Sequence, residues 1–229
     1  MGKVVYEVDF DRTSECLWYF RKEWYKRWNG FQTVLIKVPK KVKSFKQLKE
    51  WLSQEFPEKE LIELAKGLQQ AWNKINNEFF GVTEQIMGKN WKYDNYFCYV
   101  QNAIVGHYHP LEENVIFVSS KRNSPSFIKN KLQETAEELV HQQYWYIWRE
   151  TFRNIKFPWR NFRRWILSET ITNIILSDKR LRKYFGNMKE GYKFIPKIKQ
   201  QLMPLWIRRK SFRDFLLKAH KIRFKMQMK

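Results

Sequence analysis

A chain of 229 residues that is 43% hydrophobic and 29% charged has enough apolar material for a real core, which excludes a disordered or low-complexity protein. Its net charge of +21 is uneven: residues 149–229 hold 23 Lys and Arg against 5 Asp and Glu, so the pull on polyanions belongs to the C-terminal third. Only two widely separated cysteines, no apolar leader and no run long enough to span a bilayer exclude a disulfide scaffold, a thiolate zinc cluster and an integral membrane protein, and point to a cytoplasmic location.

In chain order, VVYEVDFD (residues 4–11) alternates as a short strand does, and TSECLWYFRKEWYKRW follows at helical spacing, with Thr13 or Ser14 as N-cap and Asn29-Gly30 as stop. FQTVLIKV is strand-like up to Pro39, and SFKQLKEWLSQEF is a helix closed by Pro57. These residues, 1–58, make a small N-terminal α/β unit. From Glu58, Leu61, Leu64, Leu68, Trp72 and Ile75 form one stripe of a long amphipathic helix that Gly81 ends. KNWKYDNYFCYVQN reads as a strand, AIVGHYHPLEEN as a turn region, and NVIFVSS (114–120) as a second strand. SPSFIKNKLQETAEELVHQQYWYIWRETF is a strong helix with Leu132, Ala136, Leu139, Gln143 and Ile147 on its inner face, interrupted at Pro158. NFRRWILSETITNIILSDKRLRKYF is one further helix from Asn161, and residues 181–229 are a basic, aromatic-rich helical segment.

The chemistry sits in ETAEELVHQQYW (134–145). On a helix Glu137 and His141 are one turn apart and share a face, with Glu138 beside them, so they could grip one cation if a third donor came from another element. Glu169, in SETITN on the next helix, is the candidate, with Asn173 one turn later. NVIFVS, then EELVH at 137–141, then ETITN at 169–173 resembles the gluzincin family of zinc metallopeptidases, over about residues 60–180. The resemblance implies an α+β fold with a gluzincin-like core over residues 59–180: a helix, a short sheet with NVIFVS as its cleft-edge strand, the motif helix and the third-ligand helix. It further implies His141 and Glu169 as zinc ligands, Glu138 as the base on a metal-bound water, and Asn173 at the position of a second-shell acid. Glu137 stands where the family has the first ligand histidine. Two carboxylates and one imidazole make a more anionic site and a weaker Lewis acid. The function implied is peptide-bond hydrolysis, or a metallopeptidase-like protein whose altered site no longer performs it. The bland alternative for Glu-x-x-His is a solvated helix face.

His107 and His109 share a strand face with Glu112 or Glu113 close behind, similar to the first motif of cupins, but the second motif is missing. The better reading is turn histidines beside a cleft, His109 among them. A di-iron site needs two Glu-x-x-His helices, and only one is present. PWRNFRRWILS and LWIRRKSFRDFLLKAHKIRFK interleave cations with aromatics, as phosphate binding and base stacking require, so the alternative function is nucleic-acid binding through residues 149–229 with the motif helix purely structural. A basic helix on an anionic membrane surface and a general lysine bias compete with it.

Overall fold

A computed structural model describes residues 2–19, 39, 41–55, 57–101, 107–109, 112–120, 127–153, 161–188 and 192–222. The fold is α+β and mostly helical, with nine helices and a four-stranded mixed sheet among the described residues. Two compact units emerge: residues 2–77 with 93–138, and residues 78–92 with 139–229. No described helix is long and apolar enough to cross a membrane. The strand read at FQTVLIKV and the Pro158 interruption lie outside the described residues.

The first unit contains the sheet. Strands β1 (Lys3–Glu7), β2 (Asn95–Gln101), β3 (His107–Tyr108) and β4 (Val115–Ser119) lie in the order β1-β2-β4-β3. The first three neighbours run parallel, with Lys3 opposite Asn95 and Phe97 opposite Val115, and β3 is antiparallel to β4. NVIFVS is therefore an interior strand, because neighbours on both sides use its backbone groups. The edge falls instead to His107–Tyr108, which hydropathy alone marked as a turn. All five residues of β4 are buried, as a strand covered on both faces requires.

One sheet face packs Tyr99, Val115 and Phe117 against Cys16 of α1 (Phe10–Tyr19). That helix begins three residues before the expected cap. The Asp9 carboxylate accepts the Arg12 N–H at 2.9 Å, whereas Thr13 and Ser14 are inside the helix and donate their hydroxyls back to the carbonyls of Asp9 and Phe10. Helix α2 (Phe45–Glu55) adds Leu48 and Leu52 to Leu17 and Val42. Toward the other face, Tyr6 donates its hydroxyl to Thr135 at 2.8 Å and meets Trp72 edge-on at 6.4 Å.

The amphipathic stretch from Glu58 is two helices, α3 (Glu58–Asn73) and α4 (Asn76–Met87). Gly81 lies inside the second, and the chain turns out of it at Gly88, whose φ of 62° suits a residue without a Cβ. Gln69 on α3 and Asn76 on α4 reach the outer edge of β1. Gln69 donates to the Val4 carbonyl (3.0 Å) and accepts the Tyr6 N–H (2.9 Å); Asn76 donates to the Gly2 carbonyl (3.0 Å) and accepts the Val4 N–H (3.3 Å). Two side-chain amides thus make the bonds a neighbouring strand would make.

The second unit is helical. It holds most of α4, the second half of α5 (Phe127–Thr151), and α6 (Phe162–Leu176), α7 (Lys179–Phe185), α8 (Ile195–Ile207) and α9 (Phe212–Ala219). Rings of Phe79, Phe80, Trp91 and Phe185 pack edge to face in its core. Helix α6 is buried almost all round, and its inward hydroxyls are satisfied locally: Ser168 donates to the Trp165 carbonyl and Thr170 to that of Ile166. The single helix expected over 161–185 breaks at Ser177, because the Asp178 carboxylate accepts the Arg180 N–H (3.0 Å) and starts α7 afresh.

Candidate metal-site helices

Within the second unit, α5 supplies His141 and α6 supplies Glu169, Thr172 and Asn173. Asn161 caps α6 by accepting the Arg164 N–H at 3.2 Å, which fixes where its first turn starts and so which residues meet α5. His141 is 4% exposed, which overturns the solvated-face reading. Its Nε2 lies 3.4 Å from a Glu169 carboxylate oxygen and its Nδ1 lies 3.3 Å from the Thr172 hydroxyl. With the proton on Nε2, the ring donates to Glu169 and accepts from Thr172, so both nitrogens are used.

The 3.4 Å spacing between His141 and Glu169 has a second meaning. Two ligands of a tetrahedral zinc, each about 2.0–2.1 Å from the ion, stand about 3.3 Å apart. The pair is thus placed as two metal ligands would be. A third donor is not gathered with it: among the described residues, no group of three or more His, Cys, Asp or Glu is positioned to hold a metal. Glu137, in the same helix one turn before His141, accepts the Gln133 amide at 3.1 Å. Glu138 is buried at 9% exposure. The donors gathered here therefore fit zinc only in part.

Asn173 is buried, and its carbonyl oxygen accepts from Lys199 of α8 at 2.7 Å; the same ammonium reaches the Ser177 hydroxyl at 3.3 Å. A cation thus stands beside Asn173, the residue at which the family resemblance implies an acid. Nothing in the local sequence around Asn173 signals this, because the lysine arrives from the basic segment 26 residues later.

His109 belongs to the other unit. Its Nδ1 accepts the Glu112 N–H at 2.9 Å, and burial, then the nearby Arg12 guanidinium, hold its pKa down at about 4. The Glu112 carboxylate at 3.8 Å would favour a charged ring, but Arg12 engages that carboxylate at 3.1 Å and offsets it. His107, the other half of the His-x-His, stacks on Phe117 at 4.8 Å and contacts the Cys16 sulfur at 3.2 Å. Burial raises the Cys16 thiol well above its ordinary pKa, so it is a protonated partner rather than a nucleophile. The 91-residue separation between Cys16 and His107 left that contact invisible in the sequence.

Comparison of the chain with protein-family models, with curated proteins and with solved structures gives no match.

Proposed function

We propose that this protein is metallopeptidase-like with an altered metal site, in which His141 and Glu169 remain as a direct cross-helix pair. The observation that carries the reading is their 3.4 Å approach, between helices and 28 positions apart in sequence, at the spacing of two ligands on one ion. Three further features support it. The strand order ends in the antiparallel edge strand β3, which β4 separates in the chain from the motif helix. Glu138 and His141 are both buried, where a plain surface pair would be solvated. The odd residue, Glu137, is the one position where the motif departs from histidine.

The alteration lies in charge as well as in letters. Replacing a neutral imidazole by Glu137 adds a carboxylate to the ligand positions, and Lys199 puts an ammonium on Asn173. The added carboxylate would make a metal held there a weaker Lewis acid, and the ammonium beside Asn173 would oppose the approach of a cation.

Metal content tests this directly. Protein purified without chelator and dialysed against zinc buffer should hold well under one zinc per chain, and Glu137→His should raise this to about one, with His141→Ala in the same background abolishing the gain. Glu137→His protein that stays as metal-free as the wild type would overturn the reading.

A further inference from the structure

The second unit contains a cleft of about 800 Å³ between the ends of α4 and α5 and the α8–α9 connection. Five cations line it: Lys89, Arg153, Arg209, Lys210 and Arg213. The single acid in its wall, Glu150, is paired with Lys89 at 3.1 Å, so those two cancel. The lining residues keep a net charge of +4, from five cations and one acid.

Among the described residues, the carboxylates elsewhere in the unit are already engaged. Glu78 pairs with Lys183, Asp178 with Arg180, Asp214 with Lys218 and Glu169 with His141, while Glu84 accepts the Trp91 N–H. Among the described residues, no acid forms a salt bridge with the side chain of Arg153, Lys210 or Arg213, and all three are exposed; Asp214, held by Lys218, accepts only the Lys210 backbone N–H, at 3.2 Å. Arg209 is different. Its guanidinium lies 3.6 Å from the centroid of the Trp206 ring and donates to the Trp206 carbonyl at 2.5 Å. It is thereby held in one orientation at the wall, and part of its ordering cost is met before any ligand arrives.

Like charges gathered in a concave, low-dielectric wall focus their field, and the occupant that relieves it is a polyanion. A planar bilayer presents its headgroups as a plane, which matches a flat or convex basic surface better than a cleft. A strand of nucleic acid can, because its phosphates lie along a narrow flexible line that follows a groove and leaves bases free to stack. We propose that this cleft binds the phosphate backbone of a nucleic-acid strand, with Arg153, Lys210 and Arg213 neutralising successive phosphates and Arg209 on Trp206 as the fixed contact. The proposal does not rest on the fate of the metal site.

The test is fluorescence anisotropy with a labelled single-stranded DNA of about 20 nucleotides, a length that exceeds common strand-binding site sizes. The wild type is compared with the triple variant Arg153→Gln, Lys210→Gln, Arg213→Gln. A control of equal charge loss, Lys41→Gln, Lys43→Gln, Lys59→Gln, changes exposed lysines of the first unit. All substituted side chains are exposed, so the variants should keep the wild-type circular dichroism. The cleft variant should bind at least about tenfold more weakly, with the salt slope of log Kd reduced by about 2–3, while the control shifts by less than about threefold. Equal weakening by both triples would overturn the cleft in favour of diffuse charge. Two competition results would overturn the strand as its ligand: displacement by ATP at equal total phosphate, which would mean a free nucleotide, or by phosphatidylserine vesicles, which would mean a membrane surface.

Discussion

His109 shows how much one side chain can set. Its folded pKa of about 4 lies below the ordinary 6.5, so the folded protein refuses a proton that the unfolded chain accepts. Stability from this group is complete above pH 6.5, is lost as pH falls from 6.5 toward about 4, and changes no further below that. With the side chain 10% exposed, the loss is on the order of 3 kcal/mol. His109→Asn keeps an acceptor near Nδ1, and urea titrations between those pH values should show a flatter profile than the wild type; an unchanged slope would assign the acid sensitivity to other groups. The residue scale is also where sequence reading reached furthest and failed most sharply. The pairing of His141 with Glu169 was legible because helical periodicity and element order are local. The Lys199–Asn173 and Cys16–His107 contacts were not, because each joins segments whose approach is decided by packing of intervening elements.

At the scale of elements, the strong periodic segments emerged with small shifts: α2, α5, β2 and β4 lie within the stretches that hydropathy assigned. The boundaries that moved did so for local hydrogen-bonding reasons. Asp9 outcompeted Thr13 as a cap, Asp178 restarted a helix, and Gly81 remained helical while Gly88 took the positive φ. The two-residue β3 was too short to produce any alternation. Polar letters in α3 and α4 hid their most specific task, the pairing of β1 by Gln69 and Asn76. Gln69→Leu removes the bonds to Val4 and Tyr6. It should lower the stability of the chain by about 1–3 kcal/mol in urea denaturation. It should also promote self-association visible by light scattering, since a bare strand edge templates another chain. A variant as stable and monodisperse as the wild type would show that the amides are dispensable.

For the whole molecule, the net charge of +21 is the dominant long-range fact. Like charges repel within the folded chain, and the repulsion is screened over about 8–10 Å at physiological salt. Raising sodium chloride from about 50 to about 300 mM should therefore raise Tm by a few degrees, the opposite of what a fold held by surface ion pairs would do. Calorimetry at the two salt concentrations decides between them. The sign and location of this charge were plain from composition, but the gathering of five of the cations around one cleft required knowing that the ends of α4 and α5 meet the α8–α9 connection.

The pairing of β1 also carries a consequence in time. Lys3 waits for Asn95 before its strand has a partner in the sheet. At synthesis rates of about 5–20 residues per second, that delay of roughly ninety residues lasts about 5–20 seconds. Gln69 and Asn76 leave the ribosome before β2 does, so the side-chain amides that bond the outer edge of β1 are made before its partner strand is. The groups for all four bonds that close the sheet edge in the finished protein are thus in place before the sheet itself can form.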